Sequence, residues 1–369
     1  MKKILCMIDT LAAGGAQRQL VELACGFKKR GYDVRFLVYY KAFSDYYDST
    51  LSAAGIEIDD VDESNYLLRI LKMRRKIYAY SPDAVIAFLE VPAFIAEMSG
   101  LFPRRWRLIA GERSASPKKL AQRRLRFFLH CHRFADAVVA NSEANLKIVR
   151  QVAPELDKKK LHVIYNSMNP EKLTPDEGFV FCSGEKRNIL VASSHQYLKN
   201  LDGLIEAVRR LTENERKQLV INWYGHNKFS SYDHSLEEGQ QKIKDYGLED
   251  VFRFHDATLD IYQKMNEADA VALFSKFEGF PNAICEGMYL GKPVIATCVS
   301  DIPLLLKDGE NAFLADPESA DSIAAALRRF IAAAPQQLQA MGAANAAKAR
   351  NLFDREKILD QYEQLFQTA

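Results

Sequence analysis

Short apolar runs alternate with helical patterns along almost the whole chain. The first apolar run, residues 3–8, leads through a loop of small residues to Leu20, Leu23 and Phe27 at helical spacing, and residues 33–39 form the next run. The same order repeats to about residue 332. Strict alternation of this kind predicts an α/β fold with parallel sheets and helices on both faces.

The alternation is interrupted once, near the middle of the chain. Residues 168–187 lose periodicity and contain several prolines and glycines, a composition typical of a linker. A length of 369 residues also exceeds what one core usually supports. We therefore expect two Rossmann-like, doubly wound parallel-sheet domains facing a central cleft. The expected segments are an N-terminal domain, a linker, a C-terminal domain and a last helix crossing back to the N-terminal domain, at residues 1–173, 174–187, 188–350 and 351–369.

One stretch of the second half combines a strand end, a helix start and two carboxylates. A buried apolar run at 270–275 precedes a loop with Glu278, and a helical pattern runs from Asn282 to Gly291 with Glu286 on it. Ligands of parallel sheets bind at the carboxyl ends of strands, and a helix N-terminus there suits phosphate. The two carboxylates suit sugar hydroxyls. The alternative is an ordinary helix with two solvated acids.

The loop after the first strand carries Gly14 and Gly15. It lacks the G-x-G-x-x-G pattern and the P-loop pattern, which argues against a dinucleotide or ATP site. The two glycines allow the backbone to approach a ligand closely, and a plain tight turn is the alternative.

The composition is that of an ordinary globular protein. Hydrophobic residues make up 48% and charged residues 27%, and the net charge of +2 indicates no particular partner. The six cysteines include no Cys-x-x-Cys pair and are read as free thiols of a reducing compartment. The apolar N-terminal run ends at Asp9, and no run of 18 apolar residues occurs, so we expect a cytoplasmic protein, at most peripheral to a membrane.

Basic residues concentrate in the first half. The segment Arg104–Arg133 contains ten Lys or Arg and one acid, Glu112, and Arg69–Lys76 adds a second cluster. No nucleic-acid-binding motif accompanies them. A solvated face is one interpretation. The other is a surface for anionic lipid headgroups or for a lipid pyrophosphate acceptor.

Several motifs, taken together, resemble one enzyme family. Residues 274–297 are similar to the nucleotide-sugar segment of the GT-B retaining glycosyltransferases of family 4 (glycosyl transferases group 1), in which two glutamates precede a Gly-x-Pro-Val strand. Five further segments match family motifs in the same order. They are 14–18, 135–142, 163–169, 199–207 and 308–314.

The resemblance implies transfer of a hexose or N-acetylhexosamine from a nucleoside-diphosphate sugar, with a UDP-sugar favoured. The acceptor would be a glycan or a lipid-linked acceptor in bacterial surface polysaccharide or glycoconjugate synthesis. It implies no metal or other cofactor, no nucleic acid, and a monomer or weak dimer. The implied catalytic residues are Glu278, Lys199, Glu112 and Arg113. The implied substrate-binding residues are Glu286, Gly279, Phe280, Pro281, Asn282, Ala283, Gly14, Gly15, Gln17 and His195.

Some positions depart from the family pattern. Ser193-Ser194 stand where members usually have Gly-Arg, so His195 becomes the nearest candidate cation. Glu112-Arg113 stand where many members have histidine. Two alternatives therefore stay open: a GT-B sugar-nucleotide epimerase, and a catalytically idle nucleotide-sugar binding module. Asp60-Val61-Asp62 is read as a solvated loop, and His130-Cys131-His132 lacks zinc spacing.

Overall fold

The computed structural model describes residues 2–12, 14–40, 46–101, 104–181, 186–226 and 233–367. The chain forms two compact units. Unit 1 consists of Met1–Ser167 and Phe353–Ala369, and unit 2 of Met168–Leu352. The first boundary thus falls at Ser167, residues 174–187 belong to unit 2, and the C-terminal residues belong to unit 1. Cys182 lies outside the described residues.

Unit 1 contains a seven-stranded parallel sheet with the strand order β3-β2-β1-β4-β5-β6-β7. Its strands are β1 (Lys3–Ile8), β2 (Asp33–Val38), β3 (Glu57–Asp60), β4 (Ala84–Phe88), β5 (Arg107–Glu112), β6 (Ala137–Ala140) and β7 (Leu161–Val163). Its helices up to residue 152 are α1 (Gly15–Lys29), α2 (Asp48–Ala53), α3 (Tyr66–Tyr80), α4 (Glu90–Ser99), α5 (Lys118–Ala121), α6 (Arg123–Cys131) and α7 (Glu143–Val152).

Unit 2 contains a six-stranded parallel sheet with the order β10-β9-β8-β11-β12-β13. Its strands are β8 (Arg187–Ala192), β9 (Leu219–Tyr224), β10 (Phe252–His255), β11 (Ala270–Leu273), β12 (Val294–Thr297) and β13 (Ala312–Ala315). Its helices are α8 (Leu201–Arg209), α9 (Glu213–Lys217), α10 (Ser235–Asp245), α11 (Ile261–Asn266), α12 (Asn282–Tyr289), α13 (Ile302–Leu305), α14 (Ala320–Ala332) and α15 (Pro335–Leu352).

In both sheets the order in which successive strands are added reverses at an inner strand pair. In unit 1 the chain adds β2 and β3 on one side of β1 and then continues from β4 on the other, so the reversal lies between β1 and β4. In unit 2 it lies between β8 and β11. The inner strands of both sheets are mostly buried and apolar, because helices cover both faces, whereas the edge strands β3, β7 and β10 are more exposed. The prediction of two doubly wound α/β domains is therefore confirmed.

The last helix, α16 (Arg355–Gln367), packs on α1 within unit 1. A Cβ on Gly26 would lie 2.7 Å from Cδ1 of Leu359, so the glycine allows the two helices to approach closely. Arg30 at the end of α1 forms ion pairs of 2.7, 2.8 and 2.9 Å with three acids of α16. These are Glu356, Asp360 and Glu363.

The segment 118–131 forms two helices, α5 and α6, instead of one. Gln122 has an extended backbone (φ −84°, ψ 119°), which ends α5 and begins α6. A short 3-10 turn follows at His132–Phe134. Across the described residues, every helix is too short or too polar to cross a bilayer.

Candidate functional site

A cavity of about 360 Å³ opens in unit 2 at the carboxyl ends of β8, β9 and β11. It therefore lies at the reversal of strand order, where ligands of open α/β sheets bind. Six of the residues expected at a nucleotide-sugar site line it. They are Lys199, Glu278, Phe280, Pro281, Asn282 and Ala283.

Lys199 and Glu278 form the charged pair of this cavity. Nζ of Lys199 lies 2.5 Å from Oε1 of Glu278, and the two side chains are 17% and 12% exposed. Asn200, which follows Lys199, has a left-handed backbone (φ 62°) and ends the preceding 3-10 turn at the start of α8. The pair is thus held where the turn before α8 and the loop after β11 meet. Both side chains remain accessible from the cavity.

The loop that carries Glu278 is fixed by hydroxyl groups. Oγ of Ser275 donates to Oε1 of Glu278 at 2.6 Å, and Oγ1 of Thr297 donates to the carbonyl oxygen of Ser275 at 2.7 Å. Oγ of Ser300 donates to the carbonyl oxygen of Gly279 at 3.0 Å. The sequence motif drew attention to the glutamate, whereas these hydroxyls, from the loop after β11, from β12 and from the turn after β12, were not anticipated.

Glu286 lies on α12 and is 4% exposed. The hydroxyl of Tyr262 on α11 donates to its Oε1 at 3.5 Å. The next residue, Gly287, faces β11, and a Cβ there would lie 2.7 Å from Cβ of Val271. The glycine therefore lets α12 pack closely on β11. No side-chain hydrogen bond caps the start of α12 at Pro281, and Pro281, Asn282 and Ala283 at this end of the helix line the cavity.

The opposite wall of the cavity comes from the ends of β8 and β9. A Cβ on Gly225 would lie 2.0 Å from the carbonyl oxygen of Ser193, so only glycine allows these two strand ends to approach. Tyr224 lines the cavity and stacks on His255, with ring centroids 4.3 Å apart. His226 and Ala257 also line the cavity, and no sequence motif pointed to either.

His195 lies behind this wall and is not among the cavity-lining residues. Its ring is 5% exposed and stacks on Trp223, with centroids 5.8 Å apart. Burial lowers the pKa of His195, and the hydrogen bond from its Nδ1 to the carbonyl oxygen of His226 offsets this only in part. The ring is thus biased towards the neutral form.

Gly14, Gly15 and Gln17 lie in unit 1, at the start of α1. Gly14 occupies the N-cap position with an extended backbone (φ −168°). The side-chain amide of Gln17 donates to Oδ1 of Asp9 at 3.2 Å, so it ties α1 to the end of β1. The roles of these three residues in binding stay predictions.

Glu112 lies at the end of β5 in a chain of buried charges. One of its oxygens contacts Nε2 of His132 at 3.1 Å and the other pairs with Lys119. His132 also contacts Glu97 at 2.6 Å, and Lys119 contacts Glu90 at 2.8 Å. Except for Glu90, the side chains of these charged residues are at most 1% exposed.

The burial of this network sets its charge states. Burial alone would raise the pKa of Glu112, but Lys119 and His132 outweigh it and lower that pKa to about 2. Burial would lower the pKa of His132, but Glu97 and Glu112 raise it to about 10. The sequence drew attention to Glu112 and set His132 aside, because only the fold brings the two together.

Arg113 points to another part of unit 1. Its guanidinium lies 3.5 Å from the ring centroid of Phe88 and donates to the hydroxyl of Tyr362 on α16 at 2.5 Å and to Oδ1 of Asn166 at 3.3 Å. The adjacent residues Glu112 and Arg113 therefore make contacts in different parts of unit 1.

The basic segment Arg104–Arg133 does not form one solvated face. Arg104 and Arg107 pair with Asp136 at 2.6 and 3.6 Å, and Lys119 is buried. The exposed cations of the segment are Arg105, Lys118, Arg123, Arg124, Arg126 and Arg133.

Comparisons with known proteins agree on one family. The family described as "Glycosyltransferase Family 4" matches residues 13–172, and "Glycosyl transferases group 1" matches residues 180–348. A Streptomyces griseus D-inositol 3-phosphate glycosyltransferase is 32% identical over 168 residues, which are 44% of this chain and 35% of that enzyme. The chain thus spans about a third of the length of this relative.

Two further likenesses cover nearly the whole chain. A Campylobacter jejuni N-acetylgalactosamine-N,N'-diacetylbacillosaminyl-diphospho-undecaprenol 4-alpha-N-acetylgalactosaminyltransferase is 24% identical over 355 residues, 90% of each chain. The structure of Anabaena Alr3699/HepE in complex with UDP and glucose is 22% identical, covers 99% of each chain and superposes with a TM-score of 0.84. The latter shows the shared fold. Because the two family matches together cover residues 13–172 and 180–348, the chain belongs to the GT-B glycosyl transferases group 1, family 4.

Proposed function

We propose that this protein is a retaining, metal-independent glycosyltransferase. It transfers a hexose or N-acetylhexosamine from a nucleoside-diphosphate sugar, with a UDP-sugar favoured, to a glycan or lipid-linked acceptor of a bacterial surface polysaccharide or glycoconjugate. The observation that carries the proposal is the Lys199–Glu278 pair in a cavity of about 360 Å³ beside the start of α12. The UDP in the Anabaena relative and the diphospho-undecaprenol in the name of the Campylobacter relative support the choice of donor and acceptor.

The charges of the cavity suit a leaving diphosphate. Breaking the bond between the sugar and the diphosphate places negative charge on the leaving oxygen. Lys199 and the N–H groups at the start of α12 stabilise that charge when they are already oriented towards it. When the diphosphate binds, Lys199 shares its positive charge between Glu278 and the phosphate oxygens.

The two glutamates bind different parts of the donor. Glu278 is exposed to the cavity and accepts hydrogen bonds from the hydroxyls of the sugar to be transferred. Glu286 is buried one turn into α12, where it accepts hydrogen bonds from the ribose hydroxyls. Gly279, Phe280, Pro281, Asn282 and Ala283 surround the sugar and the diphosphate. His195 is best described as packing behind the wall of the cavity.

Glu112 and Arg113 act indirectly in this proposal. Glu112 is 1% exposed and engaged by Lys119 and His132, so it positions neighbouring groups at the end of β5. Arg113 joins the same strand end to α16. Gly14, Gly15 and Gln17 remain candidates for contacts with the donor phosphates.

Nucleotide titration tests the donor site first. Isothermal titration with UDP, GDP and dTDP, and with the corresponding sugars, should yield binding to one base. Glu286→Ala should abolish that binding and transfer while the fold is kept. Glu249→Ala, an exposed acid of unit 2, is the matched control and should bind as the wild type does. Unchanged binding in Glu286→Ala would contradict the assignment.

Product analysis tests the reaction itself. The anomeric configuration of the product, measured by NMR, should match that of the donor, and EDTA should leave the rate unchanged. Donor that is consumed without any acceptor would instead indicate a sugar-nucleotide epimerase. Tight binding with no turnover would indicate an idle binding module, an alternative favoured by Ser194 at the usual arginine position.

A further inference from the structure

A second, smaller cavity of unit 2 shares a turn with the cavity of Lys199 and Glu278. It has a volume of about 160 Å³ and lies where the first turns of α8 and α10 meet. Tyr197 lines it, and we call it the Tyr197 cavity. Part of its lining is apolar, because a Cβ on Gly239 would lie 2.5 Å from Cδ2 of the buried Leu201, so the glycine lets the two helices approach closely.

Tyr197 places an exposed aromatic ring at this cavity. The residue is 65% exposed, yet its position is fixed. Nζ of Lys276 donates to its hydroxyl oxygen at 2.9 Å and lies 4.4 Å from the ring centroid. The backbone N–H of Tyr197 donates to Oδ2 of Asp233 at 3.1 Å, and Asp233 also accepts from Oγ of Ser235 at the start of α10. The ring is therefore oriented before a ligand binds, and its exposed area is available for stacking.

The charged groups around the ring offset one another. Asp202 pairs with Lys242, and both line the cavity. Glu238 also lines it and forms no ion pair within the described residues. Asp202 and Glu238 lie in the first turns of α8 and α10, where they offset the partial positive charge of each helix start. This arrangement suits neither a phosphate nor a metal ion, and it suits an uncharged ligand rich in hydroxyl groups.

The same two segments of the chain build both cavities. The 3-10 turn Tyr197–Lys199 and the loop after β11 are joined by a hydrogen bond of 2.8 Å from the backbone N–H of Lys276 to the carbonyl oxygen of Leu198. Two residues after Tyr197 and Lys276 follow Lys199 and Glu278, which pair in the larger cavity. A ligand on Tyr197 therefore contacts the turn that also carries Lys199.

We propose that the Tyr197 cavity binds one neutral sugar residue of a glycan. The apolar C–H face of the sugar ring stacks on Tyr197, and its hydroxyls donate to Asp202 and Glu238 and accept from Lys242. A volume of about 160 Å³ suits a single ring, whereas the cavity proposed for the whole nucleotide sugar has about 360 Å³. The choice of a glycan as the source of the sugar rests on the proposed function. The site itself does not, since a chain with no transfer activity would still bind a sugar there.

Titration of the full chain with methyl glycosides tests the proposal. The methyl glycosides of glucose, galactose, N-acetylglucosamine and N-acetylgalactosamine are followed by saturation-transfer difference NMR, with and without UDP, GDP and dTDP. At least one glycoside should bind in both conditions. Tyr197→Ala should weaken its binding by roughly tenfold, because the stacking area is lost. Glu238→Ala should weaken it by about fivefold, because hydrogen bonds from the sugar hydroxyls are lost. The methyl glycoside of glucuronic acid, which carries a carboxylate, should bind more weakly than that of glucose.

Matched controls separate this site from general effects of mutation. Tyr46→Ala removes a tyrosine that is 48% exposed in unit 1, and Glu249→Ala removes an exposed acid of unit 2. Both should bind the glycoside as the wild type does, and circular dichroism checks that every variant is folded.

Four outcomes would overturn the proposal. They are a wild type that binds none of the four neutral glycosides, unchanged binding in both Tyr197→Ala and Glu238→Ala, tighter binding of the glucuronic acid glycoside, and displacement of the sugar by a nucleotide, which would place it in the larger cavity. A chain that binds a glycoside at Tyr197 but binds no nucleotide would support this site and contradict the proposed function.

Discussion

Units 1 and 2 place charged pairs at the same kind of position, yet expose them differently. In both, a lysine and a glutamate meet at the carboxyl ends of parallel strands. In unit 2 the side chains of Lys199 and Glu278 are 17% and 12% exposed and face a cavity. In unit 1 those of Lys119 and Glu112 are each 1% exposed.

The difference has a physical consequence. A charge that keeps access to solvent can exchange its partner for a ligand, as Lys199 is proposed to do. A buried charge is held in place by the cost of leaving its partner alone in a low-dielectric interior. The same residue types are therefore accessible to a ligand in one unit and buried as internal support in the other.

The largest effect is expected when the buried network of unit 1 is broken. Glu112→Ala leaves Lys119 and His132 without their shared carboxylate and should cost about 3–5 kcal/mol of stability. Urea unfolding followed by Trp106 fluorescence in a Trp223→Phe background reports on unit 1 alone, because the chain has two tryptophans, one in each unit. A loss below about 0.5 kcal/mol, the usual range for surface positions, would contradict the structural role.

The corresponding change in unit 2 should affect the reaction rather than stability. Lys199→Ala should lower kcat by roughly 10²–10³-fold, since a positioned charge at the leaving group is lost. Its unfolding midpoint, followed by Trp223 fluorescence in a Trp106→Phe background, should change little. Lys217→Ala is the control for removal of a lysine. Equal stability losses in Lys199→Ala and Glu112→Ala would remove the distinction between the units.

Titration of His132 gives a smaller and pH-dependent effect. Its pKa is raised from 6.5 to about 10 in the folded protein, so its contribution to stability is fully present below pH 6.5 and is lost as the pH rises towards 10. The stability difference between the wild type and His132→Gln should therefore shrink over that interval. Unfolding of unit 1 at several pH values measures it, and a constant difference would show that His132 is neutral in the folded state.

The smallest effect is expected for the exposed ion pairs of α16. Arg30 contacts three acids, but two of them, Glu356 and Asp360, have side chains that are 60% exposed. Arg30→Gln should cost less than about 1 kcal/mol, since exposed pairs are screened by water and salt. The same tryptophan fluorescence measures it. A loss as large as that of Glu112→Ala would mean that burial does not decide the strength of these pairs.

The sequence predicted the strand, loop and helix beside the cavity of unit 2 well, because that information is local. Glu278, Asn282 and Glu286 lie within nine residues of one another, and the apolar run before them and the helical pattern after them fix their positions on a strand end and a helix. Lys199 was found in the same way, from a short motif at the start of a helix. Local spacing is sufficient where one loop and one helix build the wall.

The buried network at the end of β5 and the basic segment were predicted less well, because they depend on distant contacts. Glu97, Glu112 and His132 are far apart in sequence and meet only through the packing of α4, β5 and the turn after α6. The stacking of His195 on Trp223 likewise depends on the packing of neighbouring strands, and its expected role near a diphosphate stays a prediction. Asp60 and Asp62 are exposed, as expected for a solvated loop, but only the packing of α3 beside the end of β3 places them in one cavity with the cations of that helix.

Alternation of apolar runs and helical patterns was enough to determine the two parallel α/β units. The periodicity of each strand and each helix is visible in the residues of that element alone. Short motifs determined the family, and they drew attention to residues that line the cavity of unit 2, for the same local reason. Tertiary structure alone decided which charges are buried and which remain accessible. Burial depends on which elements pack together, and that arrangement separates Lys199 and Glu278 at the cavity from Lys119 and Glu112 in the interior.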